Sequence, residues 1–306
     1  MSNIQNNTFS AFRKQQNNIA TKYFSKRGML VQSKYPFILK DRSDWSQNII
    51  VHKVAQDIEE KKQFAETNNI SFPLHKYLHH GLSSQAMLFN LFGEPLLRKD
   101  YAFFQEVFDF HDVQIDNKYQ LKFEHYNRVT FNEFQQQPTS FDFAVWDETG
   151  NHKNIFVEAK YVEAEFGGCS VIKGGECEGL NPISDPNLCY LTHKSRNYWN
   201  IMKKYGLDRP YANSLICPLA IYYQFFRELM FALENNGYFV ILIDKRNPAF
   251  EKDSSAGKRG LIPVLMDNLS VDHKEFVKVI YIQDVLPVLI KHGYTWVDEF
   301  REKYGM

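Results

Sequence analysis

SFDFAVWDETGNHKNIFVEAKY, residues 140–161, reads as two apolar strands joined by a polar turn. Phe141, Phe143 and Val145 alternate with Asp142, Ala144 and Trp146 in the first strand. Ile155, Val157 and Ala159 alternate with Phe156, Glu158 and Lys160 in the second. Side chains two apart on a strand share a face. The spacing therefore predicts that Glu158 and Lys160 project together, with Asp142 facing them from the neighbouring strand. Gly150 and Asn151, within Asp147–Lys153, suit a hairpin connection. Three charged groups among so many apolar residues are costly unless they pair or bind something.

Working upstream, Val113–His125 alternates as a strand or a hairpin around Asp116–Asn117. Before it, LSSQAMLFNLFGEPLL (82–97) predicts a helix capped by Ser83 or Ser84, with Met87, Leu88, Leu91 and Phe92 on its apolar stripe. Gly93 and Pro95 are expected to end it, and Gln85 and Asn90 are its polar members near the stripe. Tyr101–Phe108 reads as further helix. Asp44–Thr67 reads as an amphipathic helix with a solvated EEKK face. Residues 1–28 are polar and read as a mobile or loosely helical lead. HKYLHH (75–80) reads as a solvated turn, since no Cys or acid accompanies it at metal-ligand spacing.

Downstream, FGGCSVIKGGECEGLNPISDPN (166–187) is a Gly-rich loop, and long loops inside domains often carry function. His193–Arg209 interleaves bases, Lys194 and Arg196 among them, with Tyr198, Trp199 and Tyr205. That pattern suits phosphate contact and base stacking, and Lys245, Arg246, Lys258 and Arg259 would extend it. Pro218–Asn235 is a strong helix stopped by Gly237, with Gln224, Arg227 and Glu228 on one side. Tyr238–Asp244 and Val277–Ile282 are short apolar strands, and Asp284–His292 starts a C-terminal helix. Strands separated by helices imply a partly parallel sheet with helices on its faces.

A 306-residue chain that is 44% hydrophobic can bury a sizeable core. Lys plus Arg equals Asp plus Glu at 36 each, so there is no global basic signature for nucleic acid. A local basic groove stays open, because acids at a metal site offset bases elsewhere. The start of the sequence lacks the apolar core of a signal peptide, and the longest apolar runs are too short to span a bilayer. A cytoplasmic protein with reduced cysteines and no membrane partner is expected. Cys169, Cys177 and Cys189 with His193, or with Cys217, could form a structural zinc site. The alternative is unliganded thiols, and an iron–sulfur cluster lacks its usual tight CxxC spacing.

The order helix, strand, strand with Asp, strand with Glu-x-Lys, helix, strand resembles the PD-(D/E)XK nuclease superfamily. The signature stands here as FD…EAK, with fifteen residues between Asp142 and Glu158 and Phe141 in place of the first Pro. HHGLSSQAMLFNLFG and YYQFFRELMFAL also look like a bacterial branch of these nuclease-like proteins. The resemblance covers roughly residues 75–290. It implies an α/β, restriction-endonuclease-like mixed central sheet flanked by helices, with residues 1–70 as a helical N-terminal extension and 71–306 as the nuclease-like domain.

The resemblance further implies that Asp142, Glu158 and the backbone carbonyl of Ala159 hold Mg²⁺ or Mn²⁺. Lys160 would position or deprotonate the attacking water, or stabilise developing charge. The first helix of the superfamily often adds an acid. Gln85 stands there instead and would orient a water or phosphate, which favours one metal over two. Gln224 and Arg227, with Lys194 and Arg196, would contact the phosphate backbone. Glu163 and Glu165 read as surface acids, and Glu228 as a partner of Arg227's neighbours or a solvated residue.

The expected function is metal-dependent DNA hydrolysis, as an endonuclease in restriction, defence or repair. A double-strand cut needs two active sites, so a restriction enzyme of this kind would be expected to act as a homodimer. The alternative is a catalytically degenerate protein that binds nucleic acid or a protein partner. A carboxylate-pair sugar hydrolase fits poorly, because a lysine two residues from Glu158 lowers the pKa that a general acid needs raised.

Overall fold

The computed structural model describes residues 8–70, 72–135, 138–250 and 260–306. Five strands form one sheet in chain order: β1 (Gln120–Tyr126), β2 (Ser140–Trp146), β3 (Asn154–Lys160), β4 (Gly237–Ile243) and β5 (Val277–Tyr281). β1, β2 and β3 pair antiparallel, whereas β3, β4 and β5 pair parallel. Every residue of β3 and β4 is buried. Burial on both faces accounts for their continuous apolar character. The mixed sheet flanked by helices is the architecture that the sequence predicts.

On one face, α3 (Ser84–Arg98) and α4 (Tyr101–Val107) pack Phe92 and Phe104 onto Phe143 of β2, each with ring centroids 5.1 Å apart. On the other, α5 (Pro218–Glu234) sets Phe231 against Phe141 and Phe156, again at 5.1 Å. Phe141 and Phe143 therefore serve opposite cores, although strict alternation predicts one shared face. The reason lies across the ladder. Glu124 falls between the pairs Phe123–Phe143 and His125–Phe141 and holds φ at +53°. A residue in the left-handed region departs from extended strand geometry, so the ladder is irregular at this point. Phe123 accordingly packs with Phe143, while His125 stacks on Phe156 across the sheet.

α3 starts where expected, with the Ser83 hydroxyl accepting the Ala86 N–H. It does not stop at Gly93 and Pro95 but runs to Arg98. Gly93 is there for close packing: a Cβ would lie 2.3 Å from Val54 on α2 (His52–Thr67). The helix ends at Lys99, in the left-handed region, just before Asp100 caps α4.

The N-terminal lead is also more ordered than its polar composition predicts. Residues Phe9–Lys26 form a regular helix, α1, capped by Thr8. It lies along α7 (Val297–Tyr304), which follows α6 (Ile282–Lys291). Tyr23 donates to Glu299 at 2.8 Å, and Arg27 pairs with Glu299 and Glu302. Gln16 accepts from the Tyr161 hydroxyl just past β3, tying α1 to the sheet. Among the described residues no helix is long and apolar enough to cross a membrane.

Candidate active site

β2 and β3 part company where their charged residues begin. Phe143–Val157 is the last pair of the β2–β3 ladder. Just beyond it, the Asp142 carboxylate accepts the Ala159 backbone N–H at 2.8 Å, taking the place of a main-chain partner. Glu158 and Lys160 project to the same side, as their spacing predicts. Lys160 Nζ donates to Glu158 Oε1 at 2.7 Å and to Gln224 Oε1 at 2.8 Å. Gln224 Nε2 closes the triangle on the same Glu158 oxygen at 2.6 Å.

Gln224 reaches this point because α5 is interrupted. Tyr222 has non-helical backbone angles, φ −117° and ψ 38°. The loop after β3 slots into the break: Gln224 N donates to Gly167 O, and Ala220 O accepts from Cys169 N. Insertion of a foreign backbone into the helix ladder is an ordinary cause of a kink.

A cavity of about 290 Å³ holds Asp142, Glu158, Lys160, Gln85, Gln224 and Arg227 together. It also holds Glu124, which sequence reasoning missed. Glu124 is buried opposite Asp142, and Gln85 Nε2 donates to its carboxylate at 2.5 Å. Gln85 also accepts the His75 N–H and donates to Pro73 O, so it fixes both the acid and the cavity's edge. The signal was an acid between Phe123 and His125 in a strand bordering the site. Glu163, expected on the surface, is half-buried and lines this cavity, while Glu165 is exposed. Glu228, expected either to pair near Arg227 or to be solvated, is fully buried, and neither of its oxygens has a hydrogen-bond partner among the described residues.

The electrostatics follow from burial and crowding. Burial, reinforced by Glu158, lifts the Asp142 carboxyl well above its usual range, against the Ala159 N–H and Lys160. Glu124 is raised by burial and then by Asp142 and Glu158. Glu228 is raised by burial and by Glu158. Burial pulls the Lys160 ammonium down, but Glu158, Glu163 and Glu228 more than offset it, and its pKa ends above the usual lysine value. In the metal-free site Lys160 is thus held as a positive charge by the surrounding carboxylates.

The sequence family described as REase-ARP, restriction endonuclease associating with ARP, matches residues 6–305. The chain belongs to this family. No curated protein and no solved structure matches it.

The other expected site residues of this REase-ARP chain lie around the acidic cavity. Lys194 and Arg196 line a neighbouring pocket that shares Ser140 and Arg227 with it. Tyr198 and Trp199, expected to stack on bases, are buried, Trp199 wholly within the core. Arg246 does not extend a basic surface. Its guanidinium grips Asp244 and the carbonyls of Tyr304 and Gly305. Lys258 and Arg259 lie outside the described residues. Residues 75–80 form the expected turn, but His79 is buried in it, and His75 and His80 border a 750 Å³ cleft that opens onto Lys160 and Gln224.

All four cysteines are free thiols. Burial raises the pKa of Cys169 and pushes Cys217 up to about 12, which keeps both protonated. His193 is exposed. Among the described residues no group of three or more His, Cys, Asp or Glu is arranged to hold a metal ion as it stands. In the acidic cavity the carboxylates are held by Ala159, Gln85, Lys160 and Gln224 instead.

Proposed function

We propose that this protein is a metal-dependent nuclease of the PD-(D/E)XK type, hydrolysing DNA phosphodiester bonds as a cytoplasmic endonuclease. The observation that carries the reading is the convergence of Asp142, Glu158 and Lys160 on one cavity with a third carboxylate, Glu124. The family description supports DNA as the substrate and restriction as the setting.

The donor chemistry fits a hard divalent cation. Three carboxyls face one another, and burial, reinforced by their mutual repulsion, raises Asp142 and Glu124. A cation would relieve that repulsion, and carboxylate oxygens suit Mg²⁺ or Mn²⁺. Asp142 and Glu158 would hold it. The Ala159 carbonyl is available to join them, since N–H and C=O of one strand residue point to the same side and the N–H already meets Asp142. The bound ion would supply Lewis acidity and a more acidic water.

The chain's own groups then have separable tasks. Lys160, held charged, stabilises negative charge developing on the phosphate. Gln224 fixes Lys160 and Glu158 relative to each other. Gln85 orients Glu124 rather than a phosphate. Arg227, at the cavity wall, supplies a second positive charge for the phosphate backbone. A homodimer would present two such sites to the two strands.

Incubation of plasmid DNA with Mg²⁺ tests the reading, with Asp142→Ala as control. Cleavage by the wild type alone supports it, and equal nicking by both proteins would show the activity to be a contaminant. One observation favours a second reading, a degenerate DNA-binding protein: Glu158 already has both Lys160 and Gln224 as partners. Salt-dependent DNA binding, unchanged in Lys160→Ala and without cleavage of any substrate, would select it.

A further inference from the structure

Next to the acidic cavity lies a larger pocket of about 540 Å³. Ser140 and Arg227 line both, so the two spaces share a wall. The larger pocket combines three cations, Lys194, Arg196 and Arg227, with three tyrosine rings, Tyr190, Tyr198 and Tyr223.

Arg227 is the informative member. Its Nε is buried without a hydrogen-bond partner among the described residues. Its guanidinium lies 4.9 Å from the centre of the Tyr223 ring. Of the two acids lining the same pocket, Glu176 accepts from the Tyr190 hydroxyl and Glu133 is held within the fold. Glu133 accepts from the Thr139 N–H and hydroxyl and from the Tyr198 hydroxyl. Glu228 and Glu133 lie near enough to favour the charge of Arg227, but its Nε still lacks an acceptor among the described residues, and the oxygen of an anionic ligand would supply one.

The rings are held ready. Tyr198 packs on Phe131 at 4.8 Å and edge-on to Tyr223 at 5.5 Å. Tyr190 stands at the margin, with its hydroxyl donating to Glu176 and Lys194 Nζ 5.3 Å from its ring centre. Tyr190, the ring at the pocket's margin, beside a guanidinium whose Nε lacks an acceptor, suits a ligand that is both flat and anionic. A nucleotide is such a ligand. The volume is that of a small-molecule site and far too small for stacked duplex, so a nucleotide entering it must leave the stack.

We propose that this pocket receives one unpaired nucleotide of the DNA substrate, adjoining the scissile phosphate, with its base on Tyr190 and its phosphate on Arg227. The assignment of the neighbouring cavity as the cleavage site rests on the nuclease reading above. The selectivity that follows is for single-stranded, mismatched or flapped DNA over fully paired duplex.

The test uses the full chain in EDTA and a short single-stranded DNA carrying one 2-aminopurine, whose fluorescence reports stacking. Binding should change that fluorescence, and a fully paired duplex of the same sequence should compete poorly. Tyr190→Ala should weaken binding about tenfold, the worth of one base–aromatic stack, and Tyr190→Phe should restore it. An unchanged signal at saturating protein, wild-type affinity in Tyr190→Ala, or preference for RNA of the same sequence would overturn the proposal.

Cleavage of the same oligonucleotide with Mg²⁺ separates the two claims. Cleavage without a fluorescence change removes the pocket and leaves the nuclease. A fluorescence change without cleavage of either this oligonucleotide or plasmid DNA supports the pocket and removes the nuclease.

Discussion

Asp142 closes the gap between β2 and β3 by accepting the Ala159 N–H at 2.8 Å, so one carboxylate serves both the sheet and the candidate site. The two duties can be separated by substitution. Asp142→Asn keeps an acceptor for Ala159 and should melt close to the wild type. Asp142→Ala orphans a buried N–H and should lose about 1–3 kcal/mol. Both should cut plasmid DNA at least about 10²-fold more slowly, the scale of losing one preorganised electrostatic group. Thermal melts beside cleavage assays check this, and a cleavage loss confined to the less stable variant would refute the catalytic role.

Glu124→Gln should divide stability from activity. The wild-type side chain is a buried acid in the left-handed region, opposed by Asp142 and Glu158. Strain and repulsion of this kind collect at functional sites and persist only when the surroundings impose them. An amide removes the charge and can still bond Gln85. We expect a gain of about 1 kcal/mol, roughly 2–4 °C in Tm, together with weaker Mg²⁺ binding by titration calorimetry. A variant that binds Mg²⁺ as the wild type does would place Glu124 outside the metal site.

The legible part of this fold was the part governed by local pattern. Two-residue alternation placed Glu158 and Lys160 together, and Ser83 announced α3. The facing of Phe141 and Phe143 was illegible because it depends on the backbone of Glu124, a residue on another strand with no Gly or Asn to mark its positive φ. Glu124 escaped notice for the same reason: its neighbour Asp142 is distant in sequence. Gly93 and Pro95 misled because a glycine that admits Val54 resembles one that ends a helix. Trp199 and Arg246 looked like a nucleic-acid surface because composition does not reveal which side chains the core or a C-terminal clamp will claim.

Gly168→Ala tests the coupling between the loop after β3 and Gln224. A Cβ at this position would lie 2.5 Å from Ala220 O, the carbonyl that the loop bonds through Cys169. Backbone cannot yield as a flexible side chain can, so the loop must withdraw from the break in α5. The expected cost is about 1–3 kcal/mol. Cleavage should fall further than the melt implies when measured well below Tm, because Gln224 moves off Lys160 and Glu158. Activity that simply follows the folded fraction would show that the loop does not position Gln224.

Lys303 gives a pH signature far from the site. Its ammonium is buried between α1 and α7, 4.3 Å from the Tyr23 ring centre and bonded to Asn48 Oδ1 at 2.6 Å. Burial first, then Arg27, lowers its pKa to about 7, with Glu299 opposing. In the unfolded chain lysine titrates near 10.4. Between these values the unfolded state binds more protons than the folded one, so this group makes stability rise with pH across the window. Below about pH 7 both states are protonated and its penalty is constant. Lys303→Met should therefore be more stable than wild type at pH 7, with the difference shrinking towards pH 9. Urea unfolding at pH 7, 8 and 9 reads this directly, and parallel curves for the two proteins would mean that Lys303 keeps its charge when the protein folds.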